Sequence, residues 1–325
     1  MNKDDGSYKV NDETPIRIFS SKNENRCFNL QSVARTIQGQ RPFRFFARPK
    51  RVDSIIGGCI GSGNADVFRK SNVVVAWRGV FADIFLGQIN LNVSYIDGIL
   101  YMEEVDPKPR PRRHDLSSAL GMAFEDVYTR PLKSNPEAHK PGKSVNLHWG
   151  NIDTRTLGDL NLIFCGEVAA VRDTFGNGRP SEWFDRRVKF KSKGVHSRPP
   201  IKAKWHMQSS LLGVPEIFLG YRDKAHRITK TTSMRVSDIK PAAYDHNIHR
   251  GYELLSTLRS RLESEVRQQG KMDGVIWRVK IKKGTITKIA RSKEVKEVVR
   301  GWKPTARLGI VPKHIIASLR KCHST

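Results

Sequence analysis

The sequence of 325 residues is poor in cysteine and in acidic residues, and it has no long hydrophobic run. Its four cysteines, Cys27, Cys59, Cys165 and Cys322, are scattered without a C-x-x-C pair. This pattern argues against a disulfide framework or a zinc knuckle and indicates a reducing compartment. No apolar stretch approaches the ~18 residues of a membrane-spanning helix, and the polar N-terminus has no secretory hydrophobic region. We therefore expect a cytosolic or nuclear protein without a membrane partner.

Basic residues dominate the charged residues. The chain has 58 Lys and Arg against 32 Asp and Glu, so its formal net charge is +26. An excess of this size usually indicates a polyanion nearby, either nucleic acid or, less often, a membrane surface. A generally basic soluble protein is the plainer alternative. The composition favours nucleic acid as the partner.

The hydrophobic pattern predicts a flexible N-terminal segment over residues 1–25 and a single folded domain over residues 26–325. Strands and helices are mixed along the chain, which indicates an α+β fold with a mixed sheet backed by helices. Residues 52–72, rich in Gly, Ser and Asn, are predicted to form a loop. The pattern predicts strands over 73–77, 84–95, 99–105, 160–171, 187–192, 216–222, 275–282 and 285–290, and helices over 115–129, 202–212 and 252–269.

Two dipeptides predict β-hairpins. Asp97-Gly98 and Lys283-Gly284 each separate two runs of apolar residues. A glycine-containing dipeptide in such a position is typical of a tight hairpin turn, because both turn residues need a positive φ.

Residue types associated with phosphodiester cleavage occur on two predicted strands. A metal-dependent phosphodiesterase holds its cations with several converging oxygens, and a nearby lysine orients water or stabilises charge. Such a site would need carboxylates at 167, 169 and 189 beside Lys191, whereas the chain has Glu167, Ala169 and Lys189. Lys189 and Lys191 share one face of a strand, about 6.6 Å apart. The pattern predicts a nuclease scaffold that has lost its metal site.

Two other interpretations stay open on these residues alone. Glu167 and Lys191 could form a surface ion pair on an ordinary strand. A carboxylate from elsewhere could complete the site. Along extended strands, however, Asp173 would lie roughly 13 Å beyond Ala169, and Asp185 would lie roughly 20 Å from Lys191. Glu182 falls in a predicted loop, and a loop can fold over a site.

Six short motifs occur in order along the chain. The longest is residues 204–215 (KWHMQSSLLGVP), followed by residues 220–223 (GYRD). The others are residues 77–79 (WRG), 98–101 (GILY), 121–125 (GMAFE), 164–169 (FCGEVA) and 188–191 (VKFK). Together they resemble the DXO family of decapping and 5′-end exoribonuclease proteins, in which the five shorter motifs read W-R-G, G-T-L-Y, G-Φ-x-Φ-E, F-x-G-E-Φ-D and V-E-Φ-K. The matches follow the family order from about Cys27 to Arg278.

The resemblance implies an α/β fold in which two mixed β-sheets with flanking helices surround a deep cleft, with a nuclease-type core. It also implies roles by position. Glu125 and Glu167 would help to hold a metal ion, whereas Arg78, Lys191 and Gln208 would address the RNA 5′ end and the scissile phosphate.

Two positions depart from the family pattern, because Ala169 stands in place of Asp and Lys189 in place of Glu. The change is roughly three charge units in one small site. We therefore expect no active catalytic residue, no cofactor and no metal, with Glu125 and Glu167 vestigial. An ammonium group is a good point-charge binder of phosphate. We therefore expect this site to bind the phosphates of RNA. The alternative is a decayed pocket that binds nothing. The expected RNA-binding residues are Arg78, Lys189, Lys191 and Gln208.

Within this family the sequence resembles an inactive branch represented by the Cutoff protein of flies. That resemblance implies a nuclear, chromatin-associated subunit that protects RNA 5′ ends and suppresses termination on nascent piRNA-precursor transcripts. It implies Deadlock- and Rhino-type partners, or a nuclear 5′→3′ exoribonuclease. Two alternatives stay open: an active metal-dependent 5′-end pyrophosphohydrolase or decapping exoribonuclease, and an interaction scaffold without RNA affinity.

Overall fold

The structure is a computed structural model that describes residues 16–24, 26–39, 51–105, 113–131, 150–172, 187–194, 200–239, 243–270, 274–297 and 305–324. The helices of this part are α1 Leu30–Gly39, α2 Asp53–Gly61, α3 Arg78–Phe85, α4 Arg113–Tyr128, α5 Pro200–Leu211, α6 Tyr244–Gln269 and α7 Lys313–Ser324. The strands are β1 Arg17–Phe19, β2 Val73–Trp77, β3 Ile89–Ile96, β4 Ile99–Glu104, β5 Thr129–Pro131, β6 Gly150–Leu157, β7 Leu160–Glu167, β8 Ala170–Arg172, β9 Arg187–Gly194, β10 Glu216–Arg222, β11 Ile228–Arg235, β12 Ile276–Lys282, β13 Thr285–Ser292, β14 Val295–Glu297 and β15 Thr305–Arg307. None of the helices in these ranges is long and apolar enough to span a membrane.

The chain divides into two compact units, each with its own sheet. The first unit contains a six-stranded sheet in the order β11-β10-β9-β8-β1-β5, together with α1, α4 and α5. The second contains a seven-stranded sheet in the order β13-β12-β3-β4-β2-β7-β6, together with α2, α3, α6, α7 and the β14–β15 ribbon. Both sheets combine parallel pairs (β9 with β10, β2 with β7) and antiparallel pairs (β10 with β11, β3 with β4). The predicted class, mixed α/β with two mixed sheets and flanking helices, is confirmed.

An aromatic cluster forms the core of the first unit. The ring centroid of Phe218, on β10, lies 4.7 Å from that of Phe19 and 5.7 Å from that of Phe124. It also lies 5.6 Å from the centroid of Phe190, on β9, and 5.0 Å from that of Tyr128. Tilted and offset aromatic pairs of this kind add about 0.5–1.5 kcal/mol each beyond the area they bury. The cluster therefore fastens α4 to β1, β9 and β10.

Gly220, on β10, is required by the close approach of α4. A Cβ atom at this position would lie 2.3 Å from a ring carbon of Phe124, closer than any real contact. A side chain here would push α4 away from the sheet. This packing gives a physical reason for the glycine in the GYRD segment.

In the second unit, helices pack on both faces of the sheet. Arg259 of α6 lies over the ring of Tyr95 on β3, with its guanidinium carbon 5.8 Å from the centroid. Side chains alternate along a strand, so Asn92 of β3 points to the other face. Glu103 on β4 is its cross-strand partner, and the Glu103 carboxylate accepts a 2.9 Å hydrogen bond from the backbone N–H of Val52, next to α2.

Glu103 is a buried carboxylate that ties the C-terminal region to the sheet. It is 3% exposed and pairs with the guanidinium of Arg307 on β15. Arg307 also donates a 2.6 Å hydrogen bond to the carbonyl oxygen of Ile310. Burial raises the pKa of Glu103 to about 7, although Arg307 and the Val52 N–H both act to lower it.

Several predicted elements are wrong in position or type. Residues 52–72 are not a loop, because α2 and a 3-10 helix (Ala65–Arg69) lie there. The predicted strand over 84–95 begins only at Ile89, since α3 occupies Arg78–Phe85. The predicted strand over 160–171 is two strands, β7 and β8, which belong to different sheets. β1 and β11 were not predicted. β1 lies inside the segment 1–25, which was expected to be flexible. The single domain over 26–325 stays a prediction.

Replacing Glu103 with Gln should flatten the dependence of stability on pH. The folded chain binds the Glu103 proton more tightly than the unfolded chain, because burial raises the pKa from 4.5 to about 7. The contribution of this carboxyl to the free energy of unfolding is therefore full below about pH 4.5 and falls, by roughly 3 kcal/mol, as the pH rises to about 7.

Urea unfolding of both proteins at several pH values between about 4.5 and 8 tests this expectation. The wild-type protein should lose stability relative to Glu103→Gln as the pH rises. Glu104→Gln, which changes the exposed neighbour, serves as the control. A stability difference between wild type and Glu103→Gln that stays constant over the range would contradict the prediction.

Candidate phosphate-binding site on β9

The candidate site is built on β9, an interior strand of the first sheet. Val188 and Phe190 are 1% and 3% exposed, and both pack in the core with Phe124 and Phe218. Since side chains alternate along a strand, Lys189 and Lys191 lie on the opposite face. The aromatic core thus fixes which way the two lysines point.

Lys189 is buried and hydrogen-bonded to a second residue of the predicted site. The residue is 8% exposed, and its Nζ donates to Oε1 of Gln208 at 2.8 Å. Gln208 lies on α5, so this helix covers the lysine-bearing face of β9. The structure therefore brings Lys189 and Gln208 together, although they are 19 residues apart in sequence.

Apolar side chains adjoin the lysines on this face. In the parallel register of β9 and β10, Lys189 pairs with Ile217 and Lys191 pairs with Leu219. Ile217 and Leu219 are both buried and pack with Trp205 of α5. Because such surroundings screen charge less than water does, an ammonium group here interacts more strongly with an anion than one on an open surface.

Position 169 carries a methyl group and no oxygen. β7 ends at Glu167, and β8 begins at Ala170, which pairs with Val188 of β9. Ala169 lies between these strands, half-buried, and its side chain packs against the aromatic core of the first unit. Glu167 is also half-buried.

Glu125 and Arg78 are positioned by other elements. Glu125 lies on α4, which packs on the Val188 and Phe190 face of β9, and it is half-buried. Its backbone carbonyl accepts a 2.6 Å hydrogen bond from the hydroxyl of Thr129. Arg78 is the first residue of α3, in the second unit, and it is also half-buried.

The residues at these positions do not fit a divalent-cation site. Magnesium or manganese needs several converging oxygen ligands, but position 169 supplies a methyl group and position 189 supplies an ammonium group. In the described ranges, which omit residues 173–186, no group of three or more His, Cys, Asp and Glu side chains could hold a metal ion. The carboxylates considered as substitutes, Asp173, Glu182 and Asp185, lie outside the described residues.

Arg187 is a further cation of this face that the sequence analysis did not single out. It is fully buried, and its Nη1 donates a 2.7 Å hydrogen bond to the carbonyl oxygen of Leu212, just after α5. The bond fastens the end of α5 to β9. Its signal in the sequence is the repeat of a cation at every second residue, at 187, 189 and 191.

Comparisons with known proteins agree with this nuclease-type architecture. The family model described as RAI1 like PD-(D/E)XK nuclease matches residues 3–313, and the chain belongs to that family. The assignment of Lys189 and Lys191 to the (D/E)XK positions of that motif stays a prediction from the sequence.

Individual relatives are distant. The chain is 26% identical over 174 residues to the decapping nuclease RAI1 of Cryptococcus neoformans var. neoformans, covering 46% of this chain and 45% of the relative. The chain thus spans about half the length of this curated relative.

Solved structures match in fold. Rai1 of S. pombe in complex with 3′-FADP superimposes with a TM-score of 0.61 at 16% identity, covering 83% of this chain and 84% of that one. Rai1 of Candida albicans in complex with pU5-Mn2+ gives a TM-score of 0.61 at 14% identity, covering 89% and 87%.

The hydrogen bond between Lys189 and Gln208 should contribute measurably to stability. Gln208→Leu removes an acceptor from a buried ammonium group, so the free energy of unfolding should fall by about 1–3 kcal/mol. In the Lys189→Met/Gln208→Leu double variant neither polar group remains, and the combined loss should be smaller than the sum of the single losses.

Urea unfolding of the four proteins of this double-mutant cycle measures the coupling directly. A coupling of about 0.5 kcal/mol or more is expected. Strictly additive losses would mean that the two side chains do not interact in solution.

Proposed function

We propose that this chain is a catalytically inactive member of its nuclease family that binds and protects RNA 5′ ends. The observation that carries the proposal is the buried ammonium group of Lys189, held by Gln208 at 2.8 Å. It stands where the family motif has a carboxylate. The position therefore attracts a phosphate and repels a metal ion.

The size of the electrostatic effect supports this reading. Two unit charges about 4 Å apart interact with about 4 kcal/mol at an effective dielectric constant near 20. A divalent cation beside the Lys189 ammonium would experience a repulsion of this order or more, and the Ala169 methyl group offers no ligand to offset it. The same ammonium group attracts a phosphate with comparable strength.

In this proposal Lys189 and Lys191 of the first unit bind one phosphate together. Lys191 lies about 6.6 Å along the strand from Lys189 on the same face, and α5 limits the motion of Lys189 through Gln208. A 5′-phosphate bound there would receive charge-assisted hydrogen bonds from both ammonium groups. In this proposal Gln208 positions Lys189. The resemblance adds Arg78, on α3 of the second unit, as a further RNA-binding residue.

The cellular setting is proposed from the resemblance alone. We place the protein in the nucleus, as a subunit of a complex that acts on nascent piRNA-precursor transcripts and suppresses their termination or processing. Its partners would be of the Deadlock and Rhino type, or a nuclear 5′→3′ exoribonuclease. The net charge of +26 suits a protein that works beside nucleic acid.

The competing function is an active metal-dependent decapping or pyrophosphohydrolase enzyme. It is favoured by the similarity to the decapping nuclease RAI1 of Cryptococcus neoformans var. neoformans and by the Mn2+ in the Candida albicans Rai1 complex. A third candidate is an interaction scaffold without RNA affinity. The following two experiments separate these possibilities.

The Ala169→Asp/Lys189→Glu double variant should gain affinity for Mn2+ and the ability to cleave 5′-phosphorylated RNA. It restores two carboxylates and removes the repelling cation, whereas the wild-type protein should neither bind the metal tightly nor cut. Isothermal titration with Mn2+ and a nuclease assay measure the two properties. The neutral variant Ala169→Asn/Lys189→Gln is the control, and metal-dependent cleavage by the wild-type protein would overturn the inactive assignment.

Lys189→Met and Lys191→Met should each weaken binding of 5′-phosphorylated RNA by about 10- to 100-fold, the range expected when a charge-assisted hydrogen bond of about 1.5–3 kcal/mol is lost. Both changes should also abolish the preference for a 5′-phosphate over a 5′-hydroxyl. Fluorescence anisotropy with matched RNAs measures this preference. Lys230→Met, at an exposed lysine of β11 in the same unit, is the control. Equal affinities for all four proteins would contradict the β9 site, and the absence of measurable RNA binding would favour a scaffold without RNA affinity.

A further inference from the structure

We propose that the β12–β13 hairpin of the second unit is a second RNA-binding surface, which holds the phosphate backbone of single-stranded RNA through Lys280, Lys282 and Lys288. These three residues are called the lysine face below. The lysine face belongs to the second unit, whereas the β9 site belongs to the first.

The register brings the three lysines to one side of the sheet. Lys280 of β12 is the direct cross-strand partner of Lys288 of β13, and such partners point to the same face with Cβ atoms about 5 Å apart. Lys282 follows two residues later on the same face, about 6.6 Å along β12. All three residues are exposed.

Among the described residues, no carboxylate pairs with the lysine face. None of its three lysines forms an ion pair or side-chain hydrogen bond with a described residue. On the other face of the hairpin, by contrast, Arg291 pairs with Glu265 of α6 at 3.0 Å. The segment from Ile276 to Lys293 contains seven Lys and Arg and no acidic residue.

Tertiary contacts hold the hairpin in place, so the lysine face is fixed before any ligand arrives. The backbone N–H of Gly284, in the turn, donates a 3.0 Å hydrogen bond to the carbonyl oxygen of Gly87, after α3. Val279 and Ile281, which point away from the lysine face, are each 2% exposed. The backbone of the hairpin therefore loses little conformational freedom when an anion binds.

The chemistry of the surface selects the phosphate backbone as the occupant. Like charges placed directly across a strand pair destabilise a sheet, and a polyanion between Lys280 and Lys288 relieves this repulsion. Protein partners usually need a buried apolar or aromatic anchor. The large apolar side chains exposed in the described ranges are Leu116 and Leu308, and neither belongs to the hairpin. Phosphate contacts carry no sequence information, so the surface should bind RNA without sequence preference.

The test is the affinity of the full chain for oligouridylate RNA that carries a 5′-hydroxyl. The Lys280→Gln/Lys288→Gln double variant removes two phosphate contacts and should weaken binding about 10- to 30-fold near 0.1 M salt. The slope of log affinity against log salt should flatten by about 1.4. The control is Lys70→Gln/Lys313→Gln, which removes the same charge from two exposed lysines of the same unit.

Two further measurements keep the result free of folding artefacts and separate it from the β9 site. The melting temperature of the double variant should rise by about 1–3 °C, because the repulsion between the paired lysines is removed. The loss of affinity should be equal for 5′-hydroxyl and 5′-phosphorylated RNA, whereas Lys189→Met should affect only the preference for a 5′-phosphate.

The expected pattern is a weaker, less salt-dependent RNA complex with a folded, more stable protein. An affinity within twofold of the Lys70→Gln/Lys313→Gln control would overturn the proposal. A loss confined to 5′-phosphorylated RNA would also overturn it, because that loss would belong to the β9 site. If the double variant does not fold, the same affinity measurement is made on Lys288→Gln alone, which should bind the 5′-hydroxyl RNA about fivefold more weakly than the wild-type protein.

Discussion

The alternation of side chains along β9 is the constraint on which the candidate site depends. Val188 and Phe190 are buried with Phe218 in the core of the first unit, so the residues between and beside them must face the other way. A slip of one residue would drive Lys189 and Lys191 into that core. Burying unpaired ammonium groups among aromatic rings would cost far more than the slip could gain. The core therefore selects the register, and the register places the cations.

The cations on this face are individually restrained by contacts with the end of α5. Gln208 accepts from Lys189, and the carbonyl oxygen of Leu212 accepts from Arg187. Both acceptors are neutral oxygens, so neither of these two hydrogen bonds cancels the charge of its donor.

The lysine face of the β12–β13 hairpin follows the same physical logic on an exposed surface. Its three lysines lie side by side without an ion pair to any described carboxylate, whereas Arg291 of the same hairpin pairs with Glu265. Such an arrangement lowers the stability of the free protein slightly and favours a complex with a polyanion. The lysines of the two surfaces are thus part of the excess of basic residues in the whole chain.

Sequence alone determined the features that depend on near neighbours in the chain. The turns at Asp97-Gly98 and Lys283-Gly284 have positive φ at both residues, as a two-residue hairpin requires, and the period of two in 187–191 set the common face of the lysines. The tertiary structure decided the rest. It turned residues 53–61 and 78–85 into helices, divided 160–171 between two sheets, and joined Lys189 to Gln208. Short apolar segments have no periodicity that separates helix from strand, and contacts between distant segments depend on how the packed elements meet, which no local pattern records.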